Sequence, residues 1–428
     1  MDVIKPLILF GLMVPILASA QDASREAAPL PMVQKTDELW QPILPPTSAD
    51  AADALDQRIY SQFANDELHL AREPDSSKSY ALLPHGAVTS YYDDNIALSQ
   101  TNRQGDFALA VEPGLAFGLG DLQVQENNFV IADYTGRLNA YLDHSSADAY
   151  EQFASVRAQF IQAKLKFNTN FRFLDLNDVD IDSGSRTSRR IYDTLQVGNY
   201  EISEKDFIEA QGQNIIRDYQ VGPGSVEWQG RVLYNYRWDP KLTLGGGFAG
   251  GVLDANNSTG QTYEQALLRV LYDPTEKISV QTQGGFEERQ LGGAGGHVTP
   301  VLDLTCAYRP WLGTTVSLNS YSRTTSSSAS DNLDYTASGV DVSFAKELGV
   351  SWLATLKGGY ENNSYFYTNV QAGSPRDDNF FYLNPSVQLR ITEHAKLELF
   401  YNYRENNSDI ADRSFIDNQS GIRASFTF

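Results

Sequence analysis

Trp228-Gln229-Gly230-Arg231-Val232-Leu233-Tyr234-Asn235-Tyr236-Arg237-Trp238 is the stretch on which the fold turns. Trp228, Gly230, Val232, Tyr234, Tyr236 and Trp238 share one parity, and Gln229, Arg231, Asn235 and Arg237 share the other, with Leu233 the exception. A period of two is the signature of a strand with one apolar and one polar face. A soluble sandwich hides the apolar face, whereas a membrane barrel turns it to lipid and keeps the polar face for its lumen.

Three features around this stretch favour the barrel. Aromatic residues mark strand ends, as at Trp228 and Trp238, Trp352 and Tyr360, and Tyr401 and Tyr403, where amphipathic rings suit the headgroup layer. The alternating runs extend well past the usual strand length of about five or six residues. Connections also alternate in length. Ala163-Lys164, Ser203 to Lys205, Asp239-Pro240, Asp273 to Lys277, Pro310 to Gly313 and Thr392 to Ala395 are short. Asn177 to Ser188, Ala255 to Gly260, Leu291 to Gly296, Thr325 to Asn332, Ser364 to Asp378 and Asn406 to Asp412 are longer. Short periplasmic turns and longer outer loops are the rule for outer-membrane barrels. The reading is an all-β chain, a transmembrane antiparallel up-and-down barrel of about eighteen strands over residues 85–428. Residues 189–220 alternate poorly. The final strand is the cleanest: Phe428, Phe426, Ala424 and Ile422 alternate with Thr427, Ser425 and Arg423.

The N-terminal part differs. Lys5, the apolar run Leu7 to Leu17 and Ala18-Ser19-Ala20 read as a signal peptide over residues 1–20. Residues 21–84 read as a periplasmic segment. It opens as a linker carrying Pro29, Pro31, Pro42, Pro45 and Pro46, then a short amphipathic helix from Ser48 to about Arg72 with Ala52, Leu55, Ile59 and Phe63 on one stripe. The chain has 428 residues, and its 33 Lys+Arg against 54 Asp+Glu give a net charge of -21. That balance argues against nucleic acid as a partner. The single cysteine, Cys306, leaves no internal disulfide and is expected on an outward, apolar strand face.

With strands placed, the chain resembles the putative β-barrel porin 2 family of outer-membrane proteins, some tied to exopolysaccharide systems. The resemblance rests on Tyr91-Tyr92-Asp93-Asp94-Asn95-Ile96, Pro240-Lys241-Leu242-Thr243-Leu244, Gln261-Thr262-Tyr263-Glu264-Gln265-Ala266, Gly358-Gly359-Tyr360-Glu361-Asn362, Arg390-Ile391-Thr392-Glu393 and Tyr401-Asn402-Tyr403-Arg404-Glu405-Asn406. It covers roughly residues 85–428 and implies an outer-membrane barrel without catalytic residues. The aromatic C-terminus looks like the signal read by the barrel-assembly machinery, although Gly421 departs from its usual spacing.

The search for chemistry yields little. His69, His85, His144, His297 and His394 fall in separate connections, with no metal-ligand spacing. Asp143-His144-Ser145-Ser146 has the residue types of a hydrolase triad, but contiguous residues rarely reach that geometry. Asp178-Val179-Asp180-Ile181-Asp182-Ser183-Gly184 nearly spells a calcium loop, yet its glycine falls late and Arg189 stands where the bidentate acid belongs. A solvated outer loop is the favoured reading there. Leu291 to Gly296 reads as a glycine-rich hairpin tip. No enzyme activity, metal or cofactor is expected.

The lumen face carries the functional expectation. Parity assigns it Arg137, Arg172, Arg231, Arg237, Arg269, Arg289, Arg323, Arg390, Arg404 and Arg423, with Glu112, Asp133, Asp303, Asp341 and Glu398. Phe129, Tyr141 and Phe400 join them as aromatics. Such a lining filters solutes by charge and size or simply braces and hydrates the wall. The sequence therefore points to a porin-like channel in the outer membrane, with lipid around it and small solutes or a polysaccharide inside. An export-associated barrel is one form of this reading. The alternatives are an adhesive or structural surface barrel with a closed lumen and, least favoured, an outer-membrane hydrolase.

Overall fold

The computed structural model describes residues 80–120, 128–256, 260–292, 295–368 and 376–428. The expected signal peptide, linker and amphipathic helix lie outside the described residues. Eighteen strands make one sheet. They are β1 (Tyr80–Asp93), β2 (Asp106–Gly120), β3 (Phe129–Tyr141), β4 (Ala149–Gln162), β5 (Leu165–Asp180) and β6 (Ser185–Glu201). Next come β7 (Asp206–Tyr219), β8 (Ser225–Asp239), β9 (Leu242–Ala255), β10 (Gln261–Thr275), β11 (Ile278–Leu291) and β12 (Gly295–Tyr308). The last six are β13 (Thr314–Ser326), β14 (Leu333–Leu348), β15 (Trp352–Tyr367), β16 (Asp377–Arg390), β17 (Ala395–Ser408) and β18 (Phe415–Thr427). Each pairs antiparallel with its sequence neighbours, and β18 returns to β1 through His85↔Thr427 to Asp93↔Gln419. The sheet therefore has no edge, and every strand finds its ladder partners within the protein. This is the condition for spanning lipid with strands. Among the described residues no helix is long and apolar enough to cross a membrane.

Side-chain direction follows the pattern of β8. Trp228 and Trp238 are 58% and 64% exposed and, with Val232 and Tyr234, form part of an outer apolar wall. Arg231, Asn235 and Arg237 point inward. Leu233, the exception, is 0% exposed and packs inside with Ala249, Leu267 and Val301. Outward aromatics gather near the strand ends, with Trp352, Tyr308 and Tyr272 toward the periplasmic turns and Tyr92, Phe107 and Tyr150 toward the outer loops. Leu, Val and Phe lie between them, so the wall is an apolar band between two girdles, which is the form of a transmembrane barrel. Cys306 lies on the outward parity of β12 with Leu302 and Leu304.

Three departures from the sequence reading concern where strands begin, run and end. The first strand begins at Tyr80, ahead of His85. The poorly alternating residues 189–220 are two full strands, and their pattern fails because Ile191, Leu195, Val197 and Phe207 are apolar yet inward. Finally, Asn177 to Ser188 is not a long loop. β5 and β6 pair residue for residue to Asp180↔Ser185 and leave only a turn at 181–184. There Gly184 takes a φ of 60°, and its N–H donates to the Asp180 carbonyl at 2.7 Å. Aspartates alternating with Val179 and Ile181 look like a loop in sequence but extend a strand pair whose outer tip has left the membrane.

Candidate functional site: the lumen and its outer mouth

On some strands the inward side chains are half-buried toward the periplasmic end and buried toward the outer end. On β15, Leu353, Thr355 and Lys357 are half-buried whereas Gly359, Glu361, Asn363 and Tyr365 are buried. On β11, Gln281 and Gln283 are half-buried whereas Glu287, Arg289 and Leu291 are buried. Other strands are buried at both ends, with Glu209, Leu233, Asn235 and Thr314 sealed in the periplasmic half.

The filling has two components. The first is a set of charge networks on the strands. Arg423 donates to Glu112 at 2.6 Å, and Arg137 sits 3.5 Å from Glu112 and 3.6 Å from Glu151, joining β18, β2, β3 and β4. His85 meets Asp133 at 2.7 Å across β1 and β3. Glu209 on β7 accepts from Arg231 at 3.0 Å and from both terminal nitrogens of Arg269 at 2.9 and 2.8 Å, which carries the network to β10. Glu209 is 1% exposed, and so complete a desolvation of a carboxylate is tolerable only with such partners. Arg172 lies 3.4 Å from Asp193. Arg289 donates to Glu287 at 2.9 Å and covers the Tyr263 ring at 4.6 Å, while the Tyr263 hydroxyl donates to Glu227 at 2.7 Å. Arg323 covers the Tyr321 ring at 5.3 Å. Arg404 donates to Asp417 at 2.6 and 2.9 Å, and Asp341 accepts from Asn319 at 3.2 Å. Asp303 stands opposite Gln283 on the inner face of β12.

Three of the expected lumen residues stand apart from these networks. Arg237 pairs with Glu201 at the periplasmic rim, at 2.6 and 2.8 Å. Arg390 is exposed at the periplasmic end of β16, and Glu398 is half-buried near the start of β17. Tyr141 and Phe400 pack on Tyr91, Ala108 and Ala110 inside the wall, and Phe129 is half-buried at the start of β3. Arg172, Asp193, Arg217, Glu227, Arg289 and Arg323 help to line a cavity of about 130 Å³ between the β5–β8 wall and the β10–β13 wall.

The sequence reading omitted Glu151, Asp193, Glu209, Glu227, Glu287 and Asp417. One signal could have found them. Ten arginines against five acids is an imbalance that a buried lining does not sustain, so further carboxylates had to share the lumen.

The second component is a closure of the outer mouth by two hairpin ends from opposite sides of the ring. From one side comes the β5–β6 tip. Val179 and Ile181 seat against Leu98, Phe380 and Phe415, and Asp182, 2% exposed, reaches the far wall. Its Oδ2 accepts from Ser327 Oγ at 2.8 Å, from the Ser328 N–H at 2.6 Å and from Ser328 Oγ at 3.1 Å. Its Oδ1 accepts from Tyr365 Oη at 2.8 Å and Arg376 Nη1 at 3.3 Å. Asp180 accepts from Ser328 Oγ at 2.8 Å. From the other side comes the β13–β14 end. The β12–β13 ladder stops at Leu302↔Ser322, whereas β13–β14 continues to Ser326↔Asp334. The free stretch of β12 contains Pro300, which has no N–H to give a ladder. The stretch expected to be a solvated loop or a calcium site is therefore buried, and its carboxylates are taken by protein donors, Asp178 by Arg189 among them.

The remaining motifs resolve as bracing. His144 Nδ1 faces Asp106 at 3.1 Å, and Ser145 and Ser146 lie exposed in the short 3-10 turn that follows. His85 and His297 belong to strands rather than connections, the latter stacking on Phe366 at 4.2 Å between centroids.

No family model matches the chain, and no curated protein matches it. Among solved structures, OpdO of Pseudomonas aeruginosa is similar with a TM-score of 0.44 at 10% identity, covering 82% of this chain and 97% of that one. OpdK of Pseudomonas aeruginosa, an outer membrane protein, gives 0.43 at 12% identity over 81% and 98%. OccAB4 of Acinetobacter baumannii gives 0.42 at 11% over 83% and 100%. Likeness at this level says nothing of what passes through this barrel. Its own closed ladder and apolar girdled wall make the chain an outer-membrane β-barrel of 18 antiparallel strands.

Proposed function

We propose that the barrel is a porin-like channel for small polar solutes, occupied here in a state closed at its outer mouth. The polar lining of the inward faces carries this reading: arginines and carboxylates from strands all round the ring meet in the lumen and line a cavity of about 130 Å³. An 18-stranded wall is wide enough to conduct, and what fills the outer half is side chains and two hairpin ends that meet through polar contacts. The association with exopolysaccharide export rests on the sequence resemblance alone. No described feature of the lumen speaks for a polymer, and the buried, paired charges of the outer half favour small solutes.

A surface display role is less well supported. Two of the outer connections, 181–184 and 327–332, are held in the closure through Asp182. Reconstitution into planar bilayers tests the channel reading. Discrete conductance steps, rare at rest and more frequent under applied voltage, are the expected result. Silence at every voltage, together with no solute flux in liposome swelling, would count against a channel of any kind.

A further inference from the structure

We propose that the periplasmic rim of the β12–β18 arc is a dock for the chain's own residues 48–72, whose apolar stripe covers the apolar turns of that arc. The dock does not depend on whether the barrel conducts.

The periplasmic turns are of two kinds around the ring. From β4 to β11 they are polar: Ala163-Lys164, Ser203-Glu204-Lys205, Pro240-Lys241 and Glu276-Lys277. Ile202 is the one exposed large apolar residue in those turns. From β12 to β18 the exposed tips are apolar. Trp311 and Leu312 form the β12–β13 turn, Val350 the β14–β15 turn and Ile391 the β16–β17 turn, and Phe428 follows β18. Leu312 and Val350 are 99% and 93% exposed. Phe428 stacks on His394 with centroids 6.4 Å apart, which joins it to the β16–β17 turn. The apolar tips lie beyond Tyr308 and Trp352 of the periplasmic girdle, just as the polar turns lie beyond Trp238 and Tyr272. Lipid surrounds the whole ring and cannot favour one arc. An apolar patch confined to one side marks a partner on that side.

The sequence supplies the occupant. Residues 48–72 lie outside the described residues, and they carry the stripe Ala52, Leu55, Ile59 and Phe63. The described chain begins at Tyr80, at the periplasmic end of β1, and β1 pairs with β18. The arc therefore starts beside the point where this segment joins the barrel. Residues 73–79 can bridge up to about 25 Å, and residues 48–72 at helical rise extend about 37 Å. Strands about 4.8 Å apart and tilted about 40° place the β12–β13 turn about 40 Å along the rim from β1. The segment thus reaches across the apolar arc and no further. Charge agrees with this placement. The segment holds five carboxylates against Arg58 and Arg72. The rim of the arc sets Arg309, Lys346, Arg390 and Lys396 against Glu347 and Glu393.

Two readouts test the dock on the full chain in isolated outer membranes. First, a photoreactive benzophenone amino acid replaces Leu312, and the adducts in the monomer band are mapped by mass spectrometry. Adducts to peptides within residues 48–72 are expected. The same probe in place of Lys205, on the polar arc, should give none. Any other pattern overturns the dock, adducts to lipid, to a second copy or to another protein among them. Second, Val350→Cys in a Cys306→Ser background is labelled with a membrane-impermeant maleimide. Leu55→Asp with Ile59→Asp should speed the labelling at least about tenfold, because two apolar side chains lose their burial. Leu55→Val with Ile59→Leu, which keeps the stripe apolar, should leave the rate as it was. Unchanged labelling in the aspartate variant overturns the dock, as does equal acceleration in both variants. Heat-modifiable migration in gels shows that each variant has kept its barrel.

Discussion

At the scale of single residues, Leu233 shows how a barrel inverts the usual meaning of burial. Its neighbours Val232 and Tyr234 lie on the outer surface and face lipid, whereas Leu233 is sealed inside against Ala249, Leu267 and Val301. Leu233→Ala leaves a cavity in a packed interior and should cost about 2–4 kcal/mol. Val232→Ala exchanges one lipid contact for a smaller one and should cost well under about 1 kcal/mol. Urea titration of folding into liposomes compares the two, and equal losses would mean that Leu233 is not where it is placed. Residue chemistry was legible in sequence wherever parity held, as for Arg231 and Arg269. It was illegible where an apolar side chain stood inside, as with Ile191 and Leu195, because a period of two records only contrast between faces. Glu209 was lost in that same blurred region although its two arginine partners were not.

At the scale of elements, strands were easier to find than the places where they stop. Residues Asn177 to Ser188 were read as loop because aspartate and glycine punctuate them, yet the ladder continues to Asp180↔Ser185. Composition cannot tell a strand that has outgrown the bilayer from a loop, since beyond the headgroups neither face need be apolar. The contact from Asp182 to Ser327 and Tyr365 lay further out of reach, because it depends on which strands face each other across the closed ring. A substitution at this scale separates the two descriptions. Joining Asn177 to Ser188 through Asn-Gly, a pair suited to a two-residue hairpin turn, removes the outer tip but keeps the ladder below it. The barrel should still assemble, shown by heat-modifiable migration, and conductance should rise. If the segment were an idle loop, conductance would not change.

At the scale of the molecule, closure and orientation are the properties to check. The seam between β1 and β18 continues into the outer loop at 94–105, where Asp94 accepts from the Asn418 N–H and Nδ2, both at 2.8 Å, and pairs with Arg103. Partial burial pushes the Asp94 carboxyl up, but these hydrogen bonds and the guanidinium outweigh it and hold it below the ordinary carboxylate range. A depressed folded value stabilises above the unfolded value and is lost as pH falls through the folded one. Hydrogen-exchange protection of the loop should therefore be level from neutral pH to about 4 and fall only below the ordinary aspartate value of about 3.9. Loss already between pH 6 and about 5 would contradict the assigned partners. Cys306 reports orientation. In liposomes it should resist a membrane-impermeant maleimide and accept a lipophilic one, because its parity is that of Leu302 and Leu304. Labelling by the impermeant reagent would turn the wall inside out.

The meeting of the two hairpin ends over the outer mouth has a further consequence. Two hairpin ends that meet across the ring through Asp182 stop the bore at its outer face, however broad the cylinder behind them. Traffic from the cell exterior would then be governed by a handful of rim side chains. Sequence drift confined to the tips at 181–184 and 327–332 could retune leakiness, drug entry included, while the girdled cylinder stays as it is.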